Sequence, residues 1–134
     1  MTEASAVQSQ TTKKSGDAAE DLALQHLQRA GLRLVQRNYR TPGRGGKEID
    51  LIMKAPDGTL VFVEVRKRAN ASRGGAAASV SALKQRSIVF AARHYLMHLT
   101  RVPPCRFDVV AIDLFEVQWI KAAFDATKAM NPIK

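Results

Sequence analysis

Two acidic residues, Asp50 and Glu64, lie within apolar segments of the chain and have the spacing to do chemistry together. The segments EIDLIM and LVFVEV alternate in the manner of two β-strands. A carboxylate among buried apolar side chains is costly unless a cation or a hydrogen-bond donor compensates its charge. The pair therefore predicts a site for a divalent metal ion, with a nucleic-acid phosphate as the group that the ion acts on.

A tight turn at residues 55–58 sets the register of these two strands. If the hairpin is centred on Asp57, Asp50 faces Glu64 across neighbouring strands. Facing residues have Cβ atoms about 4.5–5.5 Å apart, which is close enough for two carboxylates to share one Mg²⁺ or Mn²⁺. The alternative is that either acid only forms an ion pair with Arg66 or another nearby base. The opposite face of the hairpin is predicted to join the core through Ile49, Leu51, Met53, Val61, Val63 and Val65.

Basic residues form two long runs without an acid, and their placement indicates a polyanionic partner. The net charge is +9, and residues 22–47 and 65–107 contain no Asp or Glu. Lysine and arginine contacts to phosphates release counterions, so these runs suit nucleic acid, DNA first of all. A surface that only aids solubility is the alternative. The nucleic-acid-binding candidates lie around the glycine loops at the ends of the hairpin: Arg40, Arg44, Lys47, Lys67, Arg68 and Arg73.

The rest of the chain predicts the elements that position this hairpin. We expect a helix at 16–31, a strand at 32–40, a helix at 79–99 and strands at 105–114 and 116–124. Ser79 or Ser81 is the expected N-cap of the second helix, with Val80, Leu83, Ser87, Ala91 and Tyr95 near one face. This order predicts an α/β fold in which helices flank a central mixed β-sheet. The domain then covers residues 16–125, between tails at 1–15 and 126–134, and the core is expected to include Trp119 and the phenylalanines.

Composition narrows the class of protein. The single cysteine, Cys105, excludes an internal disulfide framework and suits a reducing compartment. The N-terminal segment has no apolar core of the kind found in signal peptides. No apolar run approaches the roughly 20 residues that cross a bilayer, so no membrane association is expected. These features predict a cytoplasmic protein, and they leave a homodimer open.

The acidic hairpin and its flanking segments resemble YraN, a bacterial family. The likeness is carried by GDAAEDLALQHL, EIDLIM, LVFVEVR, GGAAASVSALKQRS and RFDVVAI, and it covers about residues 16–124. That family is similar in fold to Holliday-junction resolvases of the PD-(D/E)XK nuclease superfamily. The resemblance implies a restriction-endonuclease-like fold with a metal site at the edge of its sheet. It also implies metal-dependent hydrolysis of DNA phosphodiesters, in branched or single-stranded DNA.

The same resemblance assigns roles to individual residues. Asp50 matches the aspartate of the superfamily pattern, and Glu64 matches the acid of its E-x-K element. Glu20, on the first helix, matches a glutamate that resolvase-like members bring to the metal, although a helix N-terminus also favours such an acid by itself. Arg66 stands where the superfamily has lysine, and arginine stays charged, so it can clamp a phosphate but not lose a proton to activate water. Lys84 is the candidate to supply an amine instead.

Arginine at this position leaves alternative functions open. One is a nuclease whose residues have changed roles, and the other is a nuclease scaffold that binds nucleic acid without cutting it. A third is an adaptor whose basic face binds an acidic protein. Lys67 is a weaker source of the amine, because strand alternation directs it to the opposite face of the sheet.

Overall fold

A computed structural model of the chain describes residues 11–67, 80–113 and 116–126, with side chains from Asp17 onward. The first helix, α1, starts at Thr11, earlier than the predicted boundary at residue 16. Residues 1–10 and 127–134, which belong to the predicted tails, lie outside the described part. The elements in chain order are α1 (Thr11–Arg29), β1 (Arg33–Arg40), β2 (Glu48–Lys54), β3 (Leu60–Lys67), α2 (Ala82–Leu96), β4 (Cys105–Ile112) and β5 (Val117–Phe124).

The strands form one mixed sheet in the order β1-β2-β3-β4-β5. Neighbours pair antiparallel except β3 and β4, which are parallel. A parallel pair needs a long connection, and the segment that contains α2 provides it. The predicted combination of a mixed sheet with flanking helices is confirmed. Within the described residues, no helix combines the length and apolar character that crossing a membrane requires.

The two helices cover opposite faces of the sheet. Strand alternation directs neighbouring apolar residues to the two faces, so each strand contributes to two clusters. On one face α1 packs against the sheet through Ala19, Ala23, Leu27, Leu51, Met53, Val61, Val63 and Val110. On the other face α2 packs through Ile52, Leu60, Phe62, Ile88, Val89, Ala91, Ala92 and Phe107. The central strands are therefore covered on both faces by apolar side chains. Polar side chains that could bind a ligand are expected at the ends of these strands.

The predicted register of the β2–β3 hairpin is confirmed where the strands pair. Leu51 pairs with Val63, and Ile52 with Phe62. The turn is closed by the Gly58 N–H, which donates to the Ala55 carbonyl at 2.9 Å. Gly58 adopts φ 93°, a conformation that glycine tolerates best.

The face predicted for Ile49 is wrong. Ile49 packs in the cluster of Ile52 and α2, whereas Leu51 packs in the cluster of α1. Strict alternation would have kept Ile49 and Leu51 on one face. The departure occurs at Asp50, just beyond Leu51, the last residue of β2 that pairs with β3. The carboxylate therefore lies where the regular hairpin ends.

The inner face predicted for α2 is partly wrong. Ser81 is the N-cap, and its Oγ accepts a hydrogen bond from the Lys84 N–H at 3.0 Å, as expected. The buried side chains of α2 are Ile88, Val89, Ala91 and Ala92. Leu83 is 70% exposed and Phe90 is 56% exposed, so neither belongs to the core. Because residues 88–92 are all apolar, the helical period alone could not select which of them face the sheet.

Asp108 in β4 is fully buried and forms a closed network. Its carboxylate accepts hydrogen bonds from Arg106 Nε at 3.0 Å, Trp119 Nε1 at 2.9 Å and the Ala122 N–H at 2.9 Å. The β4–β5 register shifts at this point, and Ala122 adopts φ 50°. The irregularity turns the Ala122 N–H toward the carboxylate. Asp108 therefore stabilises the β4–β5 pair and takes no part in the acidic pair of β2 and β3.

Candidate metal and phosphate site

Asp50 and Glu64 lie at the end of the β2–β3 hairpin where the two strands separate. The last paired residues are Leu51 and Val63, so Asp50 and Glu64 are the next residues in the same register. The Val65 N–H donates to Asp50 Oδ2 at 2.8 Å. A side-chain carboxylate thus satisfies a main-chain donor as the ladder ends. The Glu64 residue is buried, with 8% of its surface exposed.

Burial raises the pKa of both carboxyl groups of the pair. Burial and, after it, the negative charge of Glu64 raise the pKa of Asp50 to about 7. Burial also raises the pKa of Glu64, while a hydrogen bond with Asp50 lowers it. Such a bond requires a proton between the two groups, because two ionised carboxylates have only acceptors. A divalent cation would replace that proton and neutralise both charges.

Two cationic residues act on the Glu64 side of this pair. Lys84 Nζ lies 3.9 Å from Glu64 Oε2, and the amine is about half exposed. The charges of Lys84 and Arg66 both lower the pKa of Glu64, yet burial outweighs them. The Ser81 cap fixes where α2 begins and hence where Lys84 stands over β3. The arrangement thus places an amine beside the carboxylates. The predicted role of Lys84 as the source of a catalytic amine stays a prediction.

Glu20 approaches the pair from α1 but is engaged by another residue. Arg37 Nε in β1 donates to Glu20 Oε1 at 3.3 Å, and Arg37 Nη2 donates to Asp21 Oδ1 at 2.7 Å. Burial raises the pKa of Glu20, and the charge of Asp50 raises it further. Glu20 is therefore within electrostatic range of Asp50. Its predicted role as a metal ligand stays a prediction.

The donor set fits a divalent cation held by two carboxylates. Among the side chains that the structure describes, no three or more His, Cys, Asp or Glu residues form a ready metal cluster. Mg²⁺ commonly binds one or two carboxylates and completes its shell with water and substrate phosphate oxygens. Asp50 and Glu64 supply two neighbouring carboxyl groups of this kind, and burial raises the pKa of both. These two residues would hold the ion, and Glu20 would require a rearrangement of Arg37 to join them.

The loop before β2 presents two of the predicted nucleic-acid-binding residues, Arg44 and Lys47. Its ends are tied together, because the Thr41 N–H donates to the Lys47 carbonyl at 2.9 Å and the Lys47 N–H donates to Thr41 Oγ1 at 2.8 Å. A Cβ on Gly46 would approach the Thr41 carbonyl oxygen to 2.4 Å. The loop thus depends on a close backbone contact, and it presents two exposed cations at the α2 side of the hairpin.

The other predicted basic residues differ in how far the structure describes them. Arg40 Nη2 donates to Glu48 Oε1 at 3.0 Å on the surface, so part of its charge is already paired. Lys67 is exposed at the end of β3. Arg68 and Arg73 lie outside the described residues. The role of all four in binding nucleic acid stays a prediction.

Two residues that the sequence analysis did not single out as site residues influence this site. The charge of Glu48 raises the pKa of both Asp50 and Glu64. Its place two residues before Asp50 on the same strand was a signal for this. Arg37 holds Glu20 from a position 17 residues later in the chain. The sequence offered no local signal for that long-range pair.

Comparison with known proteins places the chain in a family. Residues 19–112 match the family model described as "Uncharacterised protein family UPF0102". The chain belongs to the UPF0102 family. That finding agrees with the resemblance to YraN, which concerns the same family. The matched segment runs from α1 to the end of β4, so it includes Glu20, Asp50, Glu64 and Lys84.

Curated relatives extend over nearly the whole chain. A UPF0102 protein of Albidiferax ferrireducens is 72% identical over 116 residues, covering 87% of this chain and 91% of the relative. One from Paracidovorax citrulli is 66% identical over 116 residues, with 87% and 86% coverage. One from Methylibium petroleiphilum is 62% identical over 121 residues, with 87% and 98% coverage. These names give a family and no activity, so the function has to be argued from the site.

Proposed function

We propose that this UPF0102 protein is a Mg²⁺- or Mn²⁺-dependent endonuclease-like enzyme that hydrolyses DNA phosphodiesters. The observation that carries the proposal is the carboxyl pair of Asp50 and Glu64, whose pKa values are both raised by burial. Perturbed acids beside a cationic side chain are a common feature of sites that bind and turn over charged ligands. The proposal includes the restriction-endonuclease-like architecture, which a mixed sheet covered by two helices supports.

The roles of the residues follow from their charges and positions. Asp50 and Glu64 hold the cation, which when bound acidifies a water and stabilises charge on the phosphate. Lys84, with its Nζ 3.9 Å from Glu64, contacts a phosphate oxygen of the strand to be cut. Arg66 binds a second phosphate oxygen through its guanidinium, which can donate two parallel hydrogen bonds. The tied loop of Arg44 and Lys47 contacts the strand further along.

Cleavage assays with matched aspartate variants test this proposal. Labelled four-way junction, flap and single-stranded DNA are incubated with Mn²⁺, with Mg²⁺ or with EDTA. We expect cleavage only with metal, and a loss on the order of 100-fold or more in Asp50→Asn, as for other groups that stabilise transition-state charge. Asp57→Asn is the control, because Asp57 lies in the turn at the other end of the hairpin and asparagine suits that turn.

Metal binding gives a readout independent of turnover. Isothermal titration with Mn²⁺ should show binding to the wild type and to Asp57→Asn, and none to Asp50→Asn. Metal-dependent cleavage that persists unchanged in Asp50→Asn would refute the assigned site. Cleavage that needs no metal would refute the metal-dependent class of enzyme.

A second candidate function is a nucleic-acid-binding module without catalytic activity. It is favoured by the Glu20–Arg37 pair, which keeps a third carboxylate away from the cation, and by arginine at position 66. In that case binding to DNA should weaken with salt, no cleavage should occur, and Asp50→Asn should leave the affinity unchanged. The same set of assays therefore separates the two functions.

A further inference from the structure

The solvent-facing side of α2 carries apolar side chains that the core does not use. Leu83 and Phe90 are 70% and 56% exposed, and Met97, just after the helix, is 75% exposed. They are spaced by seven residues, which is about two helical turns, so they form one stripe along the helix. Large exposed apolar side chains in a row indicate a contact surface.

The N-terminal half of this stripe borders a groove, which we call the α2 groove. It has a volume of about 580 Å³ and is lined by Lys47, Ser81, Leu83, Lys84, Arg86, Ser87 and Phe90. Pockets that hold small organic groups commonly measure about 300–1,000 Å³. The described lining combines two exposed apolar side chains with three cations and no acid. An apolar surface framed by positive charge suits a ligand with a flat uncharged part and a phosphate.

The α2 groove is continuous with the carboxyl pair through one residue. Lys84 lines the groove, and its Nζ lies 3.9 Å from Glu64 Oε2. Lys47, on the tied loop, lines the other part of the groove. A strand whose phosphate contacts Lys84 at the acidic pair therefore places its next nucleotide beside Leu83 and Phe90.

We propose that the α2 groove binds an unpaired base of single-stranded DNA, which stacks on Phe90 while Lys47, Lys84 and Arg86 contact the flanking phosphates. This inference rests on the proposed function, and it names unpaired DNA as the substrate class of that site. A base within a duplex is already stacked on its neighbours, so only an unpaired base offers a free face to the phenyl ring. The protein would then favour flaps, single strands and the unpaired parts of branched DNA.

A second copy of the chain is the competing occupant, and charge disfavours it. The α2 sequence ALKQRSIVFAARHYL contains Lys84, Arg86 and Arg93 and no acidic residue. Two such helices packed against each other would oppose like charges across the contact. The negative phosphates of DNA would instead attract these cations.

Binding measurements in EDTA test the inference separately from catalysis. Fluorescence anisotropy compares a labelled thymidine oligonucleotide, the same oligonucleotide with abasic sites, and a duplex of equal length. Phe90→Ala should weaken binding of the base-bearing strand roughly 10-fold, the effect of losing one stacked base. Binding of the abasic strand and of the duplex should not change. Phe90→Tyr should keep the affinity of the wild type, because its ring stacks equally well.

Met97→Ala is the matched control. Met97 belongs to the same exposed stripe but does not line the groove, so its removal should leave all three affinities unchanged. Thermal unfolding of each variant confirms that the fold is retained, and analytical ultracentrifugation reports the oligomeric state.

The outcomes separate this inference from the proposed function. Equal affinity of Phe90→Ala and wild type for the base-bearing strand, or an equal loss with the abasic strand, overturns the base-stacking groove. A wild-type dimer that Phe90→Ala dissociates also overturns it in favour of a self-association surface. If base-dependent binding is present but no metal yields cleavage, the groove stands and the nuclease proposal fails.

Discussion

The carboxyl groups of Asp50 and Glu64 are kept together although their burial opposes ionisation. Asp50 accepts a hydrogen bond from the Val65 N–H, and the Lys84 amine lies 3.9 Å from the Glu64 carboxylate. Asp108 shows the contrasting case, since an arginine, an indole and a main-chain N–H satisfy its carboxylate. An acid built only for stability resembles Asp108, whereas the pair in β2 and β3 retains capacity for a ligand.

The protonation of Asp50 predicts a pH dependence of stability for the metal-free protein. The pKa of Asp50 is about 7 in the folded protein against its ordinary value of 3.8. Between these values the folded state binds more protons than the unfolded state, so the free energy of unfolding should fall as pH rises from about 4 to about 7. Above pH 7, Asp50→Asn should be more stable than wild type by about 1–3 kcal/mol, after a discount for partial exposure.

Urea unfolding in EDTA between pH 5 and pH 8 measures this difference. The comparison between variant and wild type cancels the contributions of groups outside the site. Glu116→Gln removes an exposed carboxylate outside the site and should follow the wild-type curve. If Asp50→Asn runs parallel to wild type over the whole range, Asp50 is not protonated in the folded protein.

At the scale of elements, the β2–β3 and β4–β5 pairs are each anchored by a carboxylate where the main-chain ladder ends or becomes irregular. Asp50 accepts a hydrogen bond from the Val65 N–H at the end of the β2–β3 pair. Asp108 accepts one from the Ala122 N–H within the β4–β5 pair. Both devices let a strand depart from regular geometry without leaving a buried donor unpaired. The two carboxylates differ in their surroundings. Asp50 lies beside Glu64 at the strand end, where a ligand could bind, whereas the hydrogen bonds of Asp108 are all made within the β4–β5 pair.

Removal of the Asp108 carboxylate should destabilise the β4–β5 pair strongly. Asp108→Ala removes a fully buried acceptor from three donors that are partly buried, the Arg106 guanidinium, the Trp119 indole and the Ala122 N–H. We expect the free energy of unfolding to decrease by about 3–5 kcal/mol, the usual cost of breaking a buried ion pair from one side. Chemical denaturation measures it, with Glu116→Ala as the exposed control. A decrease below about 1 kcal/mol would contradict a structural role for Asp108.

At the scale of the whole molecule, positive charge and the candidate site coincide. The chain carries 21 Lys and Arg against 12 Asp and Glu. The tied loop, the start of α2 and the end of β3 bring several of these cations to the end of the hairpin where the carboxyl pair lies. A field of this kind attracts a polyanion and orients it before short-range contacts form.

Charge attraction predicts a steep dependence of DNA binding on salt. The logarithm of the association constant should fall linearly with the logarithm of salt concentration, with a slope that counts phosphate contacts. Replacing Lys47 by Gln should reduce that slope by about one contact, because Lys47 lines the α2 groove. Lys121→Gln removes the same charge from β5, where the amine lies over the Trp119 ring, and should leave the slope unchanged. Equal effects of the two variants would show that DNA is attracted by the overall positive charge and not by contacts in the α2 groove.

The sequence predicted those parts of the fold that depend on local pattern. The hairpin register followed from a turn centred on Asp57, which correctly pairs Leu51 of β2 with Val63 of β3. Exposure of Phe90 was not predictable, because it lies in an apolar run whose buried face is chosen by the sheet. The Glu20–Arg37 pair was not predictable either, since it joins α1 to β1 across the tertiary fold. Local periodicity thus identified the carboxyl pair, whereas its partners required the packed structure.

Both outer strands of the described sheet are irregular. The β1–β2 register shifts between Leu34 and Gln36, and the β4–β5 register shifts opposite Asp108. Regular, flat borders invite other polypeptides to extend a sheet, and local kinks prevent this docking. Concentrated solutions of the folded protein should therefore resist fibril growth through its borders, even though its middle strands are strongly apolar.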